Sequence, residues 1–217
     1  MKFYNTVIAS LILSASCLVN NANAGLIVSA QSAIASSEYS STYDIDNTID
    51  QSGLSSTFIS GVDDFDSFLG LTPTHVSSAP NYEWFSQGSV SSAWITYDLG
   101  SIFNLNAIAL WVEESWAPHS SVSFKSSLDG VTYNTITSNI TLPTNAPYPA
   151  AYPSTRYDFS ITSARYFMID FGACSSSGCS LGEIAFSATT SDSVPEPSTL
   201  AIFVLGMIGL ASRRFKK

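Results

Sequence analysis

A period of two is the feature that most narrows what this chain can fold into. In Trp94-Ile95-Thr96-Tyr97-Asp98-Leu99-Gly100, the residues Ile95, Tyr97 and Leu99 alternate with Trp94, Thr96 and Asp98, and a glycine closes the run. Side chains spaced this way stand on opposite faces of an extended strand. Val122 and Phe124 repeat the pattern ahead of the Asp129-Gly130 turn pair, and Phe167, Ile169 and Phe171 repeat it between Arg165 and Phe171. Leu105 to Val112 is a longer apolar run, as expected of a strand covered on both faces, and Ile184 and Phe186 supply the last strand. No stretch of the body shows a convincing amphipathic helix. Short strands, many serines and scattered turn residues predict an all-β sandwich or jelly roll.

The two ends follow different rules. Met1 to Ala24 has Lys2, an apolar stretch from about Val7 to Val19, and Ala22-Asn23-Ala24, the charged start, short apolar segment and small-x-small site of a secretory signal peptide. Cys17 lacks the large aliphatic residue that a lipoprotein anchor carries three positions earlier. At the other end, Val194-Pro195-Glu196-Pro197-Ser198-Thr199-Leu200 precedes an apolar run, Leu200 to Ala211, and then Arg213, Arg214, Lys216 and Lys217. As a helix the run would span about 18 Å, short of a hydrocarbon core of about 30 Å. The basic tail would hold the extreme C-terminus on the cytoplasmic side. A weak span with a basic stop suits a segment held briefly and then removed. This stretch resembles the PEP-CTERM sorting signal of Gram-negative bacteria, with Pro195, Glu196 and Pro197 as its motif. The resemblance implies processing by the membrane enzyme exosortase, transient anchoring in the inner membrane by a C-terminal transmembrane helix, and a secreted or cell-surface product.

Between the ends lie a domain over residues 25–188 and a Ser/Thr-rich linker over 189–193, leading into the sorting signal at 194–217. From Gly25 to Ser193 the only cations are Lys125, Arg156 and Arg165, against sixteen Asp and Glu, a balance of −13. Phosphate backbones require a basic surface, so nucleic acid is excluded as a partner. Divalent cations and neutral or cationic partners remain compatible. Cys174-Ser-Ser-Ser-Gly-Cys179 is a tight loop, and in an oxidising, exported setting an intraloop disulfide is the default reading. Closing so small a ring contributes about 2 kcal/mol by chain entropy.

The order of landmarks resembles discoidin, or coagulation-factor type C, domains. Trp94-Ile95-Thr96-Tyr97-Asp98-Leu99-Gly100 is similar to their W-I-x-x-D-L-G strand, and Ser127-Leu128-Asp129-Gly130-Val131-Thr132-Tyr133 to their S-x-D-G-x-x-aromatic turn. Ala164-Arg165-Tyr166-Phe167 is similar to the A-R-Y-hydrophobic strand, Gly182-Glu183-Ile184 to the closing strand, and Asn47-Thr48-Ile49-Asp50 to the N-x-I-D-G segment, with Gln51 in the glycine's place. The resemblance implies a galactose-binding-like jelly roll whose loops, at one end, hold sugars, lipid head groups or protein surfaces. It also implies a structural calcium held by Asp50 and Glu183.

A sugar site needs an aromatic face for the C–H side of a pyranose and a few polar groups for its hydroxyls. Tyr82-Glu83-Trp84-Phe85 and Glu113-Glu114-Ser115-Trp116-Ala117-Pro118-His119 supply both, and the second reads as an exposed loop. Trp84, Glu113, Trp116 and His119 are the expected ligand-binding residues; the opposing reading is that Trp84 and Trp116 cover the ends of the barrel. Trp94 and Trp111 fall inside strands and are expected in the core. Calcium takes six to eight oxygens, and Asp44 and Asp46 lie in the same turn-rich segment as Asp50. Asp63-Asp64-Phe65-Asp66 is a second acidic cluster, read first as a solvated loop. Catalysis has little support. Glu113 and Glu114 are adjacent and would point apart on an extended chain, His75 and His119 are the only histidines, and no G-x-S-x-G or H-E-x-x-H occurs. The expectation is a non-catalytic exported protein binding polysaccharide or a cell-surface glycan. The alternative is a structural or adhesive matrix protein acting through protein contacts.

Overall fold

The computed structural model describes residues 25–76, 81–112, 121–143, 150–175 and 177–189. Strands β1 (Leu26–Val28), β2 (Ser32–Ala35), β3 (Thr74–His75) and β4 (Trp84–Phe85) precede the long β5 (Ala93–Trp111). They are followed by β6 (Val122–Ser127), β7 (Asn134–Ile140), β8 (Tyr152–Pro153), the long β9 (Thr155–Phe171), β10 (Ser180–Leu181) and β11 (Glu183–Thr189). The main sheet runs β1-β11-β5-β9-β6-β7, with β2 also on β5.

β5 and β9 set the architecture because each serves both layers. The first part of β5, Ala93 to Asp98, pairs with Phe171 to Tyr166 and with β2; its later part, Phe103 to Leu110, pairs with Ala164 to Thr155 and with β11. The register breaks between Asp98 and Phe103, where the strand turns a corner. Gly100 makes the corner possible: its φ is +77°, and a Cβ there would stand 2.2 Å from the Gln31 side chain.

Folding both strands over this corner brings the two layers face to face. Ile95, Tyr97 and Leu99 of one layer pack in the same core as Leu105, Ile108, Leu110, Ile184 and Phe186 of the other. Tyr97 and Phe167 each meet Phe186 edge-on, with ring centroids 5.7 and 5.3 Å apart. The opposite face of the second layer is also covered. Ala107, Ala109, Trp111 and Ala185 lie under Phe58, Phe65, Phe68 and Tyr152. That double burial explains why Leu105 to Val112 reads as a nearly continuous apolar run. The all-β jelly-roll expectation holds.

One expectation needs correction. Trp94 is 38% exposed on the outside of the sheet, not in the core. Its neighbours Ala93 and Ile95 point inward, and a strand cannot bury consecutive side chains on the same face. Trp111 is buried as expected, and its indole N–H donates to the Pro73 carbonyl at 3.0 Å. Short helical pieces also occur: a 3-10 turn at Ile45–Thr48 and α1 at Phe65–Gly70. Both are too short for a 3.6-residue period to show in sequence.

The sandwich has two distinct ends. At one stand Ala93, Phe171 and Val122, which share a register, with the connections 36–44, 86–92 and 172–179 around them. The opposite end holds the β5 corner, the β6–β7 turn and both described termini, since Leu26 pairs with Ala188 and Thr189 with Asn104.

Candidate functional site

The loop end is built on a pinned floor. Trp84 and Phe85 pair with Leu181 and Ser180, and alternation along β4 sends Trp84 inward and leaves Phe85 partly exposed. Trp84 is fully buried; its N–H donates to the Ser37 carbonyl at 3.1 Å, and its ring lies 5.9 Å from that of Phe171. Of the two readings of Trp84, the structure supports the one in which it fills the end of the barrel. It presents no face to a ligand, which corrects its assignment as a binding residue.

Cys174 and Cys179 form the expected disulfide. Backbone N–H donations from Ser86 to Cys179, at 2.8 Å, and from Cys174 to Ser91, at 2.9 Å, tie that loop to the neighbouring one. Gly178 has φ +103°, and a Cβ on it would meet the Ser86 hydroxyl at 2.7 Å. Only glycine suits this close crossing.

Above the floor is an aromatic ladder that the sequence reading did not single out. Tyr39, which is 64% exposed, meets Tyr43 edge-on at 6.0 Å, and Tyr43 meets Phe85 edge-on at 5.0 Å. Backbone bonds hold it, with the Tyr39 N–H donating to Phe85 O at 2.8 Å and the Asn81 N–H to Thr42 O at 2.8 Å. The Asn47 side chain donates to the carbonyls of Thr42 and Glu83. Glu38 is exposed beside Tyr39. Two tyrosines four apart in a serine-rich acidic connection were the available signal. Glu113, Trp116 and His119 lie outside the described residues, as do the signal peptide, Pro195 to Pro197 and the run Leu200 to Ala211. Val112 and Ser121, which flank the first of these, both stand at the loop end.

A buried polar cluster lies beneath the 50–55 connection. Glu183 is fully buried; one carboxylate oxygen accepts the Gln51 N–H at 2.8 Å, and Oε1 has no hydrogen-bond partner. Burial pushes its carboxyl well above the usual range, the Gln51 N–H opposes this, and the nearby charge of Asp50 adds to the rise. Asp50 is exposed and accepts the Ser52 N–H at 2.8 Å. Gln51 sits at φ +62°, and its side-chain oxygen accepts the Phe58 N–H at 2.8 Å. It therefore takes the left-handed geometry of the glycine it replaces and adds a strut. His75 is also buried, with Nδ1 at 2.7 Å from the Val76 carbonyl and 3.0 Å from the Tyr152 hydroxyl, which donates to Glu83 at 2.5 Å. Burial lowers its pKa to about 4, so the ring is neutral at physiological pH.

An orphaned carboxylate oxygen beside a second carboxylate suits a hard cation, so Asp50 and Glu183 fit calcium as a pair. Among the described residues no group of three His, Cys, Asp or Glu comes together, and carbonyls or water would have to complete the shell. The cluster at 63–66 is accounted for structurally. Asp64 caps α1 by accepting the Ser67 N–H at 2.7 Å, Asp63 accepts the Ile59 N–H at 2.7 Å, and Asp66 pairs with Arg156. Among the described residues no helix is long and apolar enough to cross a membrane.

The loop-bearing sandwich is a galactose-binding-like jelly roll, the fold of CBM32 and discoidin-like carbohydrate-binding modules. It is similar to chitosan-binding module 1 of a chitosanase/glucanase from Paenibacillus sp. IK-5, with TM-score 0.52, 20% identity, and 75% of this chain and 97% of that one covered. Chitosan-binding module 2 of the same enzyme, solved with chitotriose, gives 0.51 and 18%, covering 72% of this chain and 95% of that one. A truncated AlyQ with CBM32 and alginate lyase domains gives 0.50 and 22%, covering 81% of this chain but 37% of that one. No curated protein matches the sequence. Residues 193–217 match the PEP-CTERM protein-sorting motif, which marks an exported protein.

Proposed function

We propose that this chain is a non-catalytic surface or matrix protein that binds polysaccharide through the loop end of its sandwich. The observation that carries this reading is the Tyr39–Tyr43–Phe85 ladder, an exposed aromatic surface on a rigid floor. A pyranose laid on Tyr39 would place its C–H face on the ring and its hydroxyls near Glu38. Trp116, Glu113 and His119 are proposed to complete the rim from the neighbouring connection. The three cations of the body are all paired: Lys125 with Asp170, Arg156 with Asp66 and Asp158, and Arg165 with Asp98. That leaves an acidic surface suited to neutral or amino-bearing polymers. Binding of chitotriose by a module of similar fold supports this choice.

The rest of the reading concerns delivery. A signal peptide over residues 1–24 starts export. The apolar run from Leu200 holds the chain in the inner membrane of a Gram-negative cell, and exosortase recognises Pro195-Glu196-Pro197. Calcium bound by Asp50 and Glu183 is structural, tying the 50–55 connection to the start of β11.

A glycan array carrying amino-bearing, neutral and acidic polysaccharides tests the binding function. Signal on the first two classes is expected. An array without signal favours the adhesive alternative, in which the domain acts through protein contacts.

A further inference from the structure

We propose that the end of the sandwich opposite the loop rim is a lipid-facing surface, on which the domain rests while its C-terminal segment is held in the membrane. This rests on the reading that the apolar run from Leu200 is a membrane anchor. Ile102 lies in the β5 corner, Leu128 and Val131 in the β6–β7 turn, and Ile161 in the β9 bulge facing Asn106, between the pairs Leu105–Thr162 and Ala107–Asp158. These four aliphatic side chains are between 55% and 83% exposed. The turn packs against the sheet beside them, because a Cβ on Gly130 would stand 3.2 Å from the Tyr166 ring, and Tyr166 pairs with Asp98 at the corner.

The chain leaves the fold at this same end. Thr189 pairs with Asn104, two residues past Ile102. Val194 lies five positions beyond Thr189, and Leu200 eleven. Fully extended, those stretches reach at most about 18 Å and about 40 Å. An anchor beginning at Leu200 therefore holds the corner within about 40 Å of the bilayer, and the aliphatic tips select the end that faces it.

Charge around the tips themselves is sparse. In a domain at −13, the strands at the corner carry neutral Ser101, Asn104, Ser160, Thr162 and Ser163 around the aliphatic tips, while Asp63 and Asp64 lie to one side, against β1, where Asp64 bridges Leu26. The Asp129 carboxylate accepts the N–H groups of Val131 and Thr132 and the Ser127 hydroxyl, which fix it within the turn and hold it ionised, so it is the one charge beside the Val131 tip. Asp98 forms a two-pronged pair with Arg165, at 2.9 Å on each prong. By contrast, Glu38 lies at the loop rim, and Asp50 lies near Glu183, which begins β11 at that end. Aliphatic tips with neutral polar neighbours settle into the headgroup layer, where free carboxylates would be repelled by anionic lipid.

The test uses the chain from Gly25 to Lys217, the form left once the signal peptide is removed, reconstituted into vesicles of three parts phosphatidylcholine to one part phosphatidylglycerol. Val131→Cys, Ile161→Cys and Tyr39→Cys each carry an environment-sensitive fluorophore, and flotation reports anchoring. The expected result is a blue shift and severalfold stronger quenching by nitroxide-bearing lipid at positions 131 and 161 than at 39. Adding Ile102→Glu should drop quenching at position 131 to the level of position 39 without changing flotation. Equal, weak quenching at all three sites on chains that float would overturn this surface while sparing the anchor. Chains that fail to float overturn the anchor and this surface together. A blue shift that persists at the same concentration without vesicles would mean that copies of the chain meet here, and it too would overturn the proposal.

Discussion

At the scale of single residues, two buried ionisable groups govern how this domain responds to its surroundings. An unfolded histidine takes a proton near pH 6.5, whereas buried His75 does so only near pH 4. The unfolded chain therefore binds that proton first, so the His75 contribution is complete above pH 6.5 and declines as pH falls toward 4. Across that window the loss approaches about 3 kcal/mol. Thermal unfolding of Glu183→Gln, which removes the opposing buried carboxyl, should show a melting temperature that falls from pH 7 to pH 4.5; a flat profile in that variant would mean the ring is not held neutral. Glu183 works in the other direction, because its raised pKa makes its buried charge a burden at neutral pH. Calcium would relieve it. The melting temperature at pH 7 should rise on adding calcium, and Glu183→Gln should abolish that rise and match or exceed the wild type in chelator. A wild-type melting temperature indifferent to both chelator and calcium would end the calcium proposal.

At the scale of elements, the connections at the loop end depend on close crossings more than on hydrophobic burial. Gly178→Ala should destabilise by more than about 1 kcal/mol, since it combines a forbidden φ with a clash against Ser86. Chemical denaturation reads this directly, and an unchanged midpoint would show that the crossing is not tight. The strands were largely legible in the sequence. Period-two runs such as Ile95, Tyr97 and Leu99 identify their own buried faces, and that phase already puts Trp94 outside, contrary to its expected place in the core. The continuous run from Leu105 to Val112 likewise announced a strand covered on both faces. The corner in β5 was harder to see, because Gly100 reads equally as a strand terminus. The rim was less legible still. Tyr39 and Tyr43 become neighbours of Phe85 only through backbone bonds spanning more than forty residues, and no local period encodes such pairing. Trp84 stood out by residue type, yet alternation along β4 aims it inward and Phe85 outward.

At the scale of the whole molecule, the proposed delivery and recognition elements lie in different parts of the chain. The described ends of the chain, Leu26 and Thr189, share one end of the sandwich and the aromatic ladder occupies the other, so a domain resting on the first would leave the second facing outward. Mass spectrometry of the exported protein should find residues 1–24 and Arg213 to Lys217 removed; an intact basic tail on exported protein would contradict processing. The central claim, that the rim binds polysaccharide, is tested most directly by calorimetric titration of the exported protein with a soluble amino-polysaccharide. Saturable binding is predicted, weakened about tenfold by Tyr39→Ala and again by Trp116→Ala, with melting temperatures unchanged. Folded protein that binds no polysaccharide, or binds it equally well in both variants, would contradict the account.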